Sequence, residues 1–270
     1  MELKDNYGKI EQLFSVKDQV VLITGAGGLA EMYAYGFAKN GAIIVLASKT
    51  LAKAEAVCSR LKEAGCPCMA LEMQIEKKEQ VKKAVQIILD TYGKIDICIH
   101  TAAMCVRHNT LEDNEDLFRK HIDVNMIGSL NVNRIVGNVM AKAGKGRIIN
   151  INTMSCYTVN TPDGFSYGVT KAALKQITKW FAVAYAKKGV TVNGIAPVWI
   201  DTPMMACRSK DYWDHCVDQV PMGRVAVPED YLGIALYMAS EAGRYMTGQT
   251  IFVDGGWQVN RTFRFDENEA

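Results

Sequence analysis

The segment 19–47 constrains the fold more than any other stretch. Gln19-Val20-Val21-Leu22-Ile23 is a short, branched apolar run with the character of a buried strand. It leads into Thr24-Gly25-Ala26-Gly27-Gly28-Leu29-Ala30 and a helical stretch over 31–40, which Gly41 ends. Residues 42–47 form a second buried apolar run. Strand, glycine turn, helix and strand within about 30 residues make a βαβ unit with a phosphate-binding turn. Gly25, Gly27 and Gly28, with Leu29 behind them, let backbone approach a pyrophosphate, and the helix N-terminus favours its charge.

The alternation continues to the end of the chain. Helices are expected over 51–65, 77–92, 115–143, 167–187 and 230–239, and strands over 68–73, 95–100, 147–151, 191–195 and 250–253. The expected class is α/β: a single-domain, Rossmann-type doubly wound parallel sheet of about seven strands. Residues 1–18 read as a polar lead-in with a short helix around 7–14, residues 19–257 as the domain, and 258–270 as a polar tail. No linker, repeat or low-complexity segment interrupts them.

Composition removes other classes. A net charge of +2 and the lack of a basic block argue against a nucleic-acid partner. No apolar run approaches the roughly 20 residues that span a membrane. The start, MELKDNYGKIEQ, is polar and mixed in charge, unlike a secretory signal, so a cytoplasmic location is expected. The eight cysteines are scattered, which suggests reduced thiols. Cys66-Pro67-Cys68 lacks partners at zinc spacing, and four dispersed histidines suggest no metal centre.

Tyr167-Gly168-Val169-Thr170-Lys171 carries candidate chemistry. On a helix, positions i and i+4 share a face. A phenol with a pKa of about 10 is a poor proton shuttle at neutral pH. A cation beside it favours the phenolate and lowers that pKa, so the pair can act as a general acid/base.

The ordered set of motifs resembles the short-chain dehydrogenase/reductase family from about Val16 to Trp257. The matching pieces are Thr24-Gly25, Asp123-Val124-Asn125, Ile148-Ile149-Asn150-Ile151, Tyr167-x-x-x-Lys171, Val192-Asn193-Gly194-Ile195-Ala196-Pro197, Thr202, Pro228-Glu229-Asp230 and Thr247-Gly248-Gln249 with Val253-Asp254-Gly255-Gly256. The resemblance implies an oxidoreductase in which Tyr167 exchanges a proton with the substrate oxygen as hydride moves to or from a nicotinamide. Lys171 would lower the tyrosine pKa and bond the nicotinamide ribose, and Asn125 would hold a water linking Lys171 to solvent. It also implies cofactor contacts from Ile75, Thr101, Ala102, Pro197, Ile200 and Thr202. A homotetramer or dimer is implied too, with 115–143 and 167–187 as subunit contacts.

Four departures from the family pattern stand out. The glycine turn is one residue short and ends in Ala30. The usual N-N-A-G reads His100-Thr101-Ala102-Ala103. Gln74 replaces an acidic residue near the adenine. The usual Ser-Ser reads Asn152-Thr153. Thr153 falls at the catalytic serine by motif, 14 residues before Tyr167, and Ser155 lies 12 before. Either hydroxyl could steady a carbonyl, or simply bond its own turn.

After the second strand comes Ser48-Lys49-Thr50 with no carboxylate, which suits the 2′-phosphate of NADP(H) better than the bare ribose of NAD(H). For the substrate, Met104-Cys105-Val106-Arg107-His108 resembles gluconate 5-dehydrogenase-like members, and Arg107 could clamp a carboxylate. Leu13-Phe14-Ser15-Val16 and Ala196-Pro197 through Thr202 are similar to that group as well. A sugar acid or polyol such as gluconate/5-ketogluconate is therefore expected. Against it, Tyr157, Met154, Val198, Trp199, Met204, Met205, Tyr212, Trp213 and Met222 could make an adaptable apolar wall for a steroid or other bulky ketone. A third reading is a catalytically altered nucleotide-binding protein, since the glycine turn is short.

Overall fold

Runs of branched aliphatic residues assemble into one parallel sheet in this computed structural model, which describes residues 9–112, 114–159, 161, 163–201 and 209–259. The strands are β1 (Val20–Thr24), β2 (Ile43–Ser48), β3 (Cys68–Glu72), β4 (Ile97–His100), β5 (Gly146–Ile151), β6 (Val190–Pro197) and β7 (Thr250–Val253). They lie in the order β3-β2-β1-β4-β5-β6-β7, and every pairing is parallel. Helices cover both faces, so the central strands read as continuous apolar runs rather than alternating ones.

The two faces have separate cores. Val21, Ile23, Ile44 and Leu46 face α2 (Gly28–Lys39), α3 (Leu51–Glu63) and α9 (Leu232–Ala239), meeting Tyr33, Phe37, Leu61 and Met238. Val20, Leu22 and Val45 point the other way, toward α4 (Lys78–Tyr92), α6 (Ser129–Ala143) and α7 (Phe165–Ala186), meeting Ile88, Val136 and Tyr185. Alternation of side chains across each strand feeds both cores at once. The remaining helices are α1 (Ile10–Leu13), α5 (Glu115–His121) and α8 (Lys210–Asp218). The α7 helix leaves Trp180 and Val183 exposed, on one of the segments where the family resemblance implies subunit contacts.

Chain direction across the sheet reverses between β1 and β4. The β2–β3 half leaves β1 on one side and β4–β7 on the other, which opens a crevice at the carboxyl ends of β1 and β4.

Three expectations change. The helix after the glycine turn starts at Gly28, three residues earlier than its apolar pattern, because glycines weaken that pattern but not the backbone. Residues 115–143 are continuously helical, but Ile122–Gly128 is a π-turn between α5 and α6. The cysteines are not all reduced: Cys58 of α3 and Cys68 at the head of β3 form a disulfide, with Cα atoms 5.2 Å apart. Packing of α3 back onto its following strand brings the two together, which scatter along the sequence does not reveal. Cys66, Cys98 and Cys156 are free thiols. No helix among the described residues is long and apolar enough to cross a membrane.

Candidate active site

The glycine turn lies at the crest of β1. Gly25 takes a left-handed backbone, φ +93°, and a Cβ there would sit 2.9 Å from Thr101 Oγ1. Only glycine meets both demands without strain. Thr101 Oγ1 donates to the Thr24 carbonyl at 2.5 Å, and the Ala102 N–H donates to Thr24 Oγ1 at 3.2 Å. These bonds seal β1 to β4 beneath the turn. Gly27 is the N-cap of α2, with no side-chain cap, and a Cβ added there would meet nothing within 4 Å. The N-terminus of a 12-residue helix therefore opens onto free space. That is the donor set and the room a pyrophosphate needs, so the site fits a dinucleotide. The short turn does not spoil it, because the Ala30 methyl is buried in the α2-side core.

Flanking candidates have defined places. Ser48 ends β2, and its Oγ accepts from the Thr50 N–H at 3.3 Å. Thr50 is the N-cap residue of α3 without a side-chain cap bond, and Lys49 is exposed. Glu72, which sequence reasoning passed over, stands in register beside Ser48 and is exposed. Its signal was its position at the end of the neighbouring strand. The Gln74 N–H donates to Gln80 Oε1, and Ile75 is buried while its carbonyl accepts from Asn131. Pro197 closes β6, and Ile200 forms a bridge with Ala226.

Tyr167 and Lys171 lie one turn apart on α7, with Lys171 Nζ 5.6 Å from the centroid of the Tyr167 ring. Lys171 is 3% exposed and donates to the Ile151 carbonyl, at the end of β5, over 2.7 Å. Burial lowers its pKa to about 8, against the opposing pull of Cys105 and Cys156. The Tyr167 phenol departs from expectation. Burial raises its pKa, Cys105 and Cys156 push the same way, and the cation that opposes them is Arg107. Desolvation disfavours the phenolate more than nearby positive charge favours it, while the Lys171 ammonium is committed to a backbone carbonyl. Cys105 and Cys156 thus belong to the site's surroundings, and isolated cysteines carried no signal for that in sequence.

Asn125 is buried in the π-turn. Its Oδ1 accepts from the Met104 N–H at 2.7 Å, and its Nδ2 donates to the Met104 carbonyl at 2.8 Å and to Thr170 Oγ1 at 3.0 Å. Its side chain ties the loop after β4 to α7. π-turns of this kind often mark functional sites.

Thr153 is the N-cap residue of a single 3-10 turn, Met154–Cys156, and its Oγ1 accepts from the Ser155 N–H at 3.5 Å. The Ser155 carbonyl lies 3.5 Å from where a Cβ on Gly168 would stand, so this turn packs beside Tyr167. The turn that holds Ser155 and is capped by Thr153 therefore packs on the N-terminal part of α7. Asn152, between them and β5, is buried with its Nδ2 lacking a hydrogen-bond partner among the described residues.

The substrate candidates divide. Arg107 is half-buried, and its Nη1 donates to Asp163 Oδ1 at 2.9 Å and Thr161 Oγ1 at 3.0 Å. It is an oriented fork rather than a free surface charge. Tyr157 is exposed and packs edge-on against Phe252 at 5.8 Å, with Lys175 Nζ 4.9 Å from its ring centroid. Trp199 is 6% exposed and packs with Met154, Cys216 and Val220, edge-to-face with Trp257 at 5.6 Å. Thr202, Met204 and Met205 lie outside the described residues. Among the described residues, no group of three His, Cys, Asp or Glu side chains could hold a metal ion.

Known proteins share this architecture. A family model described as enoyl-(acyl carrier protein) reductase matches residues 25–258. Sorbose reductase of Schizosaccharomyces pombe is 32% identical over 250 residues, covering 91% of this chain and 98% of that protein. The 5-keto-D-gluconate 5-reductase of Escherichia coli is 29% identical over 253 residues, covering 93% and 99%. A crystal structure of a gluconate 5-dehydrogenase from Burkholderia cenocepacia, in complex with NADP and tartrate, superimposes with a TM-score of 0.89 at 28% identity, covering 94% of this chain and all of that one. With the glycine turn, the all-parallel seven-strand sheet and the match over nearly the whole length, the chain belongs to the short-chain dehydrogenase/reductase family of oxidoreductases.

Proposed function

We propose that the protein is an NADP(H)-dependent enzyme that interconverts a ketone and a secondary alcohol on a sugar acid or polyol of the 5-ketogluconate class. The observation that carries this reading is the pairing of Tyr167 with the buried Lys171 at the carboxyl end of β5, on the same sheet rim as the open N-terminus of α2. A bound nicotinamide supplies the hydride chemistry. Tyr167 Oη gives a proton to the substrate oxygen during reduction and takes one during oxidation. A hydroxyl from Thr153 or Ser155 steadies the same oxygen, and Lys171 holds positive charge beneath the pair.

Ser48, Lys49 and Thr50 support NADP(H), because the end of β2 offers hydroxyls and a cation and no carboxylate of its own. Arg107 supports a polar, oxygen-rich substrate: it is oriented by Asp163 and Thr161, and its charge is felt at Tyr167. The names of the relatives point the same way. Part of the apolar wall that would suit a bulky ketone is consumed in packing, since Met154 and Trp199 are buried with Cys216 of α8, while Tyr157 and Met222 stay exposed.

The test is NADPH consumption with 5-keto-D-gluconate, sorbose, a ketosteroid panel and a 3-oxoacyl thioester. Turnover is expected with the sugar-derived ketones, and faster with NADPH than NADH. Turnover of steroids or thioesters alone would discard the substrate assignment. Absence of any melting shift with either nucleotide would discard the oxidoreductase reading itself, because a cofactor that binds the folded state must raise apparent stability.

A further inference from the structure

His100 ends β4 in the place where the family pattern has asparagine, and it is 1% exposed. Both ring nitrogens are engaged. Nδ1 lies 2.8 Å from Thr24 Oγ1, and Nε2 lies 2.9 Å from Ser129 Oγ. The neighbours fix which nitrogen carries the proton. Ser129 Oγ donates its one hydrogen to the Asn125 carbonyl at 2.5 Å. Ser129 must then accept from His100, so Nε2 is the protonated nitrogen and Nδ1 is the acceptor. Thr24 Oγ1 already accepts from the Ala102 N–H, which leaves its own hydrogen for Nδ1. All the donors run one way: Thr24 to His100, His100 to Ser129, Ser129 to Asn125.

Burial and the charge on Lys171 both disfavour the imidazolium, and they push its pKa down to about 3. The ring therefore stays neutral with a single tautomer. At one end of the chain, Thr24 anchors the base of the glycine turn through its carbonyl and hydroxyl. At the other, Asn125 grips both backbone groups of Met104 and the Thr170 hydroxyl of α7. Met104 begins the segment that carries Cys105 and Arg107, and Thr170 precedes Lys171.

We infer that His100 is a positioning residue: as the Nε2–H tautomer it couples the glycine turn at Thr24 to the Asn125 turn, and so sets the loop after β4 in register with Tyr167 and Lys171. Asparagine has no atom at the position of the imidazole Nε2, the atom that bonds Ser129. The kinetic part of the inference rests on the oxidoreductase reading; the tautomer does not.

Side-chain 15N NMR of the full chain, with His100→Asn identifying the resonances, tests it. Nε2 should carry the proton and Nδ1 should appear as an acceptor, unchanged between about pH 5.5 and 8.5, a range over which an ordinary histidine titrates. An Nδ1–H tautomer, or titration within that range, overturns the inference whether or not a substrate is found. In turnover, His100→Asn and Ser129→Ala should each lower kcat about tenfold with substrate KM changed less than about threefold, and the double variant should be no slower than the worse single one, since both cut the same chain. Lower melting temperature with unchanged kcat in Ser129→Ala would reduce His100 to a stabilising core residue and contradict the positioning role.

Discussion

Lys171 brings an ammonium into a site where it is 3% exposed, with the Ile151 carbonyl as its bonded acceptor. Its pKa falls from the ordinary 10.5 to about 8. The folded state therefore binds fewer protons than the unfolded one between those values, and this group's contribution to stability rises with pH across that window. In the proposed mechanism Lys171 supplies positive charge beside Tyr167, and that charge is present below about pH 8 and lost above it. Reductive turnover should accordingly decline above about pH 8, and Lys171→Arg, whose guanidinium stays charged, should flatten that alkaline limb even at a lower maximal rate. An unchanged limb in the arginine variant would assign it to another group. The Tyr167–Lys171 pair was legible in sequence because a four-residue spacing on a helix fixes its geometry. The direction of the phenol's shift was not, because it depends on burial and on Arg107, Cys105 and Cys156, which come from other segments of the chain.

Among the elements, the turn from β1 into α2 separates backbone strain from ligand contact. Gly25→Ala forces a left-handed non-glycine residue and a contact at 2.9 Å with Thr101 Oγ1, at a cost of about 1–2 kcal/mol for the backbone alone. Its melting temperature should drop even without nucleotide. Gly27→Ala adds a methyl to open space and keeps an extended backbone, φ −112°. It should melt like the parent without nucleotide but lose most of the NADPH-induced shift, which thermal melting of both variants with and without NADPH reads directly. An equal apo destabilisation of both would mean that Gly27 serves packing rather than ligand approach. Strands were legible because buried parallel strands are continuous apolar runs. The Cys58–Cys68 bond and the burial of Trp199 were not, because both arise from packing between elements. The π-turn at Asn125 left no periodic signature, since it adds one residue to a helix that otherwise continues.

Across the whole molecule, sheet order and the β1/β4 switch point concentrate the chemistry at one rim: Gly27 and Gly28 at the end of β1, Ser48 at the end of β2, His100 at the end of β4 and Lys171 against the end of β5. The alternation of elements made that architecture legible before any side chain was placed. Substrate class was less so, because the candidate residues for it sit on segments whose packing, such as the Arg107–Asp163 pair, joins distant parts of the chain. Proton-coupled hydride exchange at this rim is proposed to run through Tyr167. Its most direct test is the turnover of Tyr167→Phe with 5-keto-D-gluconate at saturating NADPH. A loss of kcat of about a thousandfold or more is expected, with the NADPH-induced melting shift intact; turnover within about tenfold of the parent would mean that Tyr167 is not the proton-transfer group.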